Sequence, residues 1–222
     1  MLYLHIKDYE LSYNANREVE KLEKTKAEIE KIKSKFPAGI NNAPIQEILE
    51  ALGITCKKDS DGLLIISHYG DTELDYSYSD LGIDEDRLFK DIKAIEEYAV
   101  FGTSKVTNLG NLQSIGGNAD FTDSQLTNLG NLQYIGGYAD FKYSEVTDLG
   151  NLQTIGGYAS FEDSQITDLG NLQSIGDSAW FERSRITSLG NLQTIGGDVY
   201  IRNSKLKPSD FNSIGVKGKI YQ

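Results

Sequence analysis

The sequence predicts an α/β solenoid, with short parallel strands stacked rung upon rung behind an N-terminal α+β region. Three observations predict it. A run of twenty residues repeats five times without losing register between Val106 and Lys205, and self-similarity at such a period marks a stacked repeat. Apolar residues return to the same slots in every copy. Helical periodicity, by contrast, is confined to the residues before Gly53.

Each copy divides into a strand with its turn and a return path. In the first copy Ala119, Phe121, Ser124 and Leu126 stand at spacings of 2, 3 and 2. The later copies repeat this as Ala139-Phe141-Ser144-Val146, Ala159-Phe161-Ser164-Ile166, Ala179-Phe181-Ser184-Ile186 and Val199-Ile201-Ser204-Leu206. This pattern resembles the strand and turn of a leucine-rich repeat, L-x-L-x-x-N-x-L. The run Gly-Asn-Leu-Gln-x-Ile-Gly-Gly resembles the short repeats of bacterial and phage proteins. The resemblance covers about the C-terminal two-thirds of the chain. It implies short parallel strands on a concave face and a 3₁₀ or irregular convex side. Two departures stand out: Ala and Phe replace the strand leucines, and Ser replaces the turn Asn, capping the backbone less completely.

On the return path, Leu109, Leu112 and Ile115 lie three apart, a spacing that suits a 3₁₀-like segment. Gly116-Gly117 is expected to turn the chain at positive φ. Asn111 and its copies Asn131, Asn151, Asn171 and Asn191 are expected to form a structural ladder that satisfies loop backbone groups. Residues 86–105 are a diverged copy in which Phe89, Ile92, Ile95, Ala99, Phe101 and Ser104 keep their slots. A further rung is expected at Leu74–Leu81. Residues 206–222 form a terminal rung in which Ile214 and Ile220 return to phase after a one-residue deletion. Lys207, Pro208, Lys217 and Lys219 would discourage another chain from adding there.

The N-terminal region differs. Val19, Leu22, Ile29, Ile32 and Phe36 recur at helical spacing over residues 15–36, and Pro37-Ala-Gly39 stops the helix. Pro44–Gly53 reads as a second short helix and Gly62–Ser67 as a buried strand. Residues 1–71 are therefore expected to cap a solenoid spanning 72–222, since stacked repeats need covered ends. The alternative is that helix 15–36 binds a partner.

Charge and chemistry narrow the function. The net charge is −11, most of it in the first 85 residues, which disfavours direct contact with nucleic acid and favours a basic protein partner. Met1–Glu10 lacks a charged start followed by an apolar run, so no secretory signal is expected, and no stretch approaches the ~18–20 apolar residues of a membrane span. With Cys56 as the single cysteine, a cytoplasmic location is expected. His5 and His68 lie far apart, with no zinc-ligand spacing, no phosphate loop and no nucleophile–base pair. No cofactor and no metal are expected, and the chain reads as not an enzyme.

What varies between copies carries the functional signal. With Ala119 and Phe121 turned inward, alternation points residues 118, 120 and 122 outward. Going along the stack, these columns and the adjoining turn bring together Tyr98, Asp120, Tyr138, Asp140, Tyr143, Tyr158, Glu162, Trp180, Glu182, Arg183, Tyr200 and Arg202. Nothing in the repeat requires aromatic rings at exposed strand positions, and Tyr, Trp and Arg dominate binding hot spots. The expected function is a protein–protein interaction module that uses this concave aromatic and acidic face. The alternative is a phage or mobile-element inhibitor that occludes the nucleic-acid channel of a bacterial defence enzyme, with carboxylates standing in for phosphates.

Overall fold

A computed structural model describes residues 23–70, 81–102 and 104–222. The described residues open on helical residues 23–33, labelled α1, followed by a 3₁₀ turn at Ile40–Asn42 and α2 (Ile45–Ala51). Helix α2 buries Ile45, Ile48 and Leu49, the apolar positions of its inner face. An antiparallel hairpin follows, β1 (Cys56–Lys58) and β2 (Leu64–Ile66). Asp59 shapes its turn by accepting the backbone N–H groups of Asp61 and Leu63.

From β2 onward the chain is a β-solenoid of parallel strands about twenty residues apart. Strands β3 (Ile92–Ile95) and β4 (Ala99–Val100) follow a short helix α3 (Glu85–Leu88), and each later turn adds one strand to each of two sheets. Among the described residues the first sheet holds nine strands: β1, β2 and β3, then β5 (Ser114–Ile115), β7 (Tyr134–Ile135), β9 (Thr154–Ile155), β11 (Ser174–Ile175), β13 (Thr194–Ile195) and β15 (Gly215–Val216). The second holds seven: β4, β6 (Ala119–Asp120), β8 (Ala139–Asp140), β10 (Ala159–Ser160), β12 (Ala179–Trp180), β14 (Val199–Tyr200) and β16 (Ile220–Tyr221). A third line of contact is a set of isolated bridges, Asn128 to Asp148 and Asp168 to Ser188.

The nine-stranded sheet corrects the expected 3₁₀ return path. Ile115 and its copies lie in strands because the rungs are close enough for backbone pairing on this side as well. Gly116 and Gly117 are likewise not at positive φ; that conformation falls on Gly110 and its copies. Gly116 is needed for close approach: a Cβ there would stand 2.2 Å from the carbonyl oxygen of Glu96 on the preceding rung. The terminal rung is also registered differently from the expected deletion. Ile195 pairs with Val216 and Val199 with Ile220, so the last turn is one residue longer and Ile214 is only partly buried. The rung expected at Leu74–Leu81 falls almost wholly outside the described residues, as do Val19, Leu22 and the first part of the expected helix 15–36.

The core is a set of columns. Leu109, Leu112, Ile115, Ala119, Phe121 and Leu126 are buried, as are their counterparts throughout the middle rungs. The phenylalanines form one stack, with Phe101, Phe121, Phe141, Phe161 and Phe181 at centroid distances of 4.9–5.4 Å and near-parallel planes. Tyr69 covers its first ring and Phe211 packs against its last. The Asn ladder has its structural role: Asn111, Asn131 and Asn171 donate their side-chain amides to Lys90, Gly110 and Gly150 carbonyls of the rung before. The Ser column is uneven. Ser104, Ser144 and Ser204 donate to the carbonyl three residues back, whereas the buried hydroxyls of Ser124, Ser164 and Ser184 have no partner.

Candidate functional site

The outer face of the seven-stranded sheet brings most of the expected residues together. Ala119 and its counterparts turn inward, so the residues on either side of each alanine face out. In-register parallel pairing then sets like positions one strand spacing apart, ~4.8 Å. Tyr138 stacks on Tyr158 at 4.8 Å and 7°. Tyr158 meets Trp180 edge-on at 5.2 Å and 83°. Trp180 stacks on Tyr200 at 5.4 Å and 4°, and Tyr200 on Tyr221 at 5.0 Å and 9°. The result is an unbroken ladder of five rings that crosses from one column to the next at Tyr158.

Ring-on-ring stacking decides what the ladder offers. Stacking within Tyr138–Tyr158 and within Trp180–Tyr200–Tyr221 covers ring faces, and Tyr138, Tyr158, Trp180 and Tyr200 are half-buried. Ring edges carry the positive part of the aromatic quadrupole. Tyr221 was missed in the sequence because the terminal rung was placed out of register. Tyr98 does not join the ladder: Asn118 separates it from Tyr138, and its ring stacks on His68 at 5.3 Å.

Asp120 and Asp140 stand side by side on neighbouring strands. Each carboxylate has a local task, since Asp120 accepts the N–H of Thr122 and Asp140 that of Lys142. Their charge also reaches the ladder. Burial first, and then these two aspartates, push the Tyr138 phenol above its usual range. Tyr158 moves the same way through burial, Tyr138 and the same aspartates.

A rim of charge runs beside the rings. Glu162 pairs with Lys142 at 3.4 Å and with Arg183. Arg183 also bridges to Asp163 at 3.0 Å, which with Glu162 raises the guanidinium above its ordinary value. Glu182 pairs with Arg202 at 3.4 Å. Lys142 and Asp163, not singled out from the sequence, are thus members of this network. Exposed pairs of this kind hold geometry more than they add stability.

The turn beside the rim holds Asp123, Tyr143, Asp163, Arg183 and Asn203 at positive φ. Asp and Asn tolerate that conformation, whereas other side chains are disfavoured there by roughly 1–2 kcal/mol. Tyr143 has φ 57 and is 55% exposed, with only the Lys142 ammonium over its ring at 5.2 Å. A costly backbone here presents an exposed ring that the fold does not use.

Among the described residues no group of three or more His, Cys, Asp or Glu is arranged to hold a metal, and no helix is long and apolar enough to cross a membrane. In comparison with known proteins, no family model, no curated protein and no solved structure matches the chain.

Proposed function

We propose that this chain is a non-enzymatic protein-binding module whose partner docks on the ring ladder of the seven-stranded sheet. The observation that carries the reading is the ladder together with Tyr143: six aromatic side chains on one outer surface, one of them held in disfavoured backbone. In this reading the solenoid is a variant of the leucine-rich-repeat architecture, and the N-terminal region is its cap. Tyr and Trp combine apolar area with a polar tip at low entropy cost, which suits an interface. Asp120, Asp140 and the Glu162–Arg183 rim would set orientation, and their acidic side favours a basic partner. Tyr98, on a separate patch, would contribute at the margin.

The occluding nucleic-acid mimic gains less support. A mimic of phosphates needs carboxylates available to cations, and here Glu162, Asp163 and Glu182 already meet Arg or Lys of the same chain. A cytoplasmic setting is part of the proposal, supported by Cys56 being the single cysteine, which leaves no pair for an intrachain disulfide. The test is capture of partners from the source cell by wild type and by Trp180→Ala. Loss of one specific protein from the Trp180→Ala sample, with the fold intact, would support the reading; an unchanged set would reject the ladder as the site.

A further inference from the structure

A different surface carries a message of its own. On the nine-stranded side, Gln113, Gln133, Gln153, Gln173 and Gln193, each just before a strand of that sheet, form a column of identical, exposed amides. Other exposed identical positions have work within the fold. The Asn ladder bonds the rung before it, and Thr147 and Thr187 donate to the preceding threonine carbonyls. Gly110 and its copies hold positive φ. The glutamine side chains make no hydrogen bond within the chain, although neighbouring outward columns differ freely from copy to copy.

The same face is neutral. Across the five clean copies its segments, 109–117 and counterparts, carry one charge, Asp177, whose carboxylate accepts from Ser178. On a chain of net charge −11 this is the surface that two copies can bring together without repulsion. An amide both donates and accepts, so an amide column is complementary to itself. A second copy also matches its rung spacing by construction.

The column beside the glutamines fixes the arrangement. It reads Ser114, Tyr134, Thr154, Ser174, Thr194, and Tyr134 is its one bulky member, 44% exposed. A two-fold axis along the strands, through the rung of Gln153 and Thr154, reverses the order of rungs and keeps each column facing itself. Tyr134 then meets Ser174 of the second copy, large against small, and Ser174 meets that copy's Tyr134.

We infer that this chain self-associates face to face through its glutamine column, as an antiparallel two-fold dimer centred on Gln153. Five rungs at ~4.8 Å make a strip only about 24 Å long. The interface falls near the lower end of specific ones, so association is reversible and weak.

Sedimentation velocity of the full chain from micromolar to millimolar concentration tests this. Expected is a concentration-dependent dimer that added salt strengthens, because salt screens the net repulsion and no ion pair is lost. Gln153→Glu sets two like charges on the axis and should weaken the dimer tenfold or more, with an unchanged unfolding midpoint. Ser174→Tyr should abolish it by opposing two rings, and the exchange Tyr134→Ser/Ser174→Tyr should restore it. Trp180→Ala should leave it intact, which separates this surface from the ring ladder. A chain that stays monomeric throughout overturns the inference. So does a dimer indifferent to Gln153→Glu and Ser174→Tyr, or a face that instead takes up a soluble neutral glycan as a monomer.

Discussion

Phe141→Ala removes the middle ring of the buried stack. Phe141 is 0% exposed and lies against Phe121 at 4.9 Å and Phe161 at 5.4 Å. A buried Phe→Ala costs about 3–5 kcal/mol, depending on how far the surroundings close over the gap. Here they cannot close far. Rung separation is already fixed by backbone contact, as at Gly156, where a Cβ would stand 2.2 Å from the Gly136 carbonyl oxygen. The cost should therefore fall at the upper end, about 4–5 kcal/mol. Tyr138→Ala makes the same truncation on the outer face. It loses one stacked neighbour, worth about 0.5–1.5 kcal/mol beyond burial, and part of a half-buried ring, for about 1–2 kcal/mol in all.

Urea denaturation of both variants beside wild type, followed by far-ultraviolet circular dichroism and by Trp180 fluorescence, measures the difference. Two probes are needed because a repeat array can unfold in segments. Phe141→Ala should lower the midpoint at least twice as far as Tyr138→Ala. Equal effects, or a larger one for Tyr138→Ala, would refute the inward and outward assignment on which the ring ladder rests.

Other outcomes follow from single sites. Gly156→Ala should cost several kcal/mol because its Cβ meets backbone that cannot move, while Gly170→Ala, at φ 54 with open space around it, should cost only about 1–2 kcal/mol; thermal melts rank them. Tyr143→Asn should stabilise by about 0.5–1 kcal/mol, the backbone relief exceeding one exposed cation–π contact, and should weaken partner binding; a destabilised variant would contradict the strain argument. Glu85 is buried, with Tyr69 donating to it at 2.5 Å, and burial raises its pKa against that bond. The folded state thus favours its neutral form. Its contribution is fully present below the unfolded value, about 4.3, and is lost as pH rises through the folded one. The stability of Glu85→Gln relative to wild type should therefore improve from pH 4 to pH 8; a pH-independent difference would exclude this.

The solenoid was legible because its period is a property of sequence alone. Phe121 and Leu126 recur every twenty residues, and no tertiary knowledge is needed to stack them. The nine-stranded sheet was not legible. Ser114-Ile115 is too short a segment to show strand alternation, and its pairing depends on how closely the rungs approach, which the glycine contacts set. The ladder was half legible. Outward positions follow from alternation, so Tyr138, Tyr158, Trp180 and Tyr200 could be named. Whether their rings would splay or stack depends on rotamers, and Tyr221 was hidden by one inserted residue. Lys142 and Asp163 joined the rim through side-chain reach across rungs, which column reading does not measure.

Stacking within the ladder constrains the partner proposed to dock there. A ring whose face is covered by its neighbour cannot offer that face to a cation. Partner lysines and arginines would therefore find Asp120 and Asp140, and the ring edges would meet carbonyl oxygens, apolar groups or the faces of partner rings. The two contributions separate in kinetics. Charge at Asp120 and Asp140 acts at long range and steers encounter, so Asp140→Asn should lower the association rate and reduce its dependence on salt. Its turn bond to the Lys142 N–H can be kept by the Asn side-chain oxygen, which leaves the fold in place. Trp180→Ala removes contact made only after docking and should raise the dissociation rate, by about tenfold or more for a hot-spot ring. Surface plasmon resonance at two salt concentrations resolves both effects. If Asp140→Asn changes only dissociation, or Trp180→Ala only association, the partner does not lie across the ladder in the way these rings dictate.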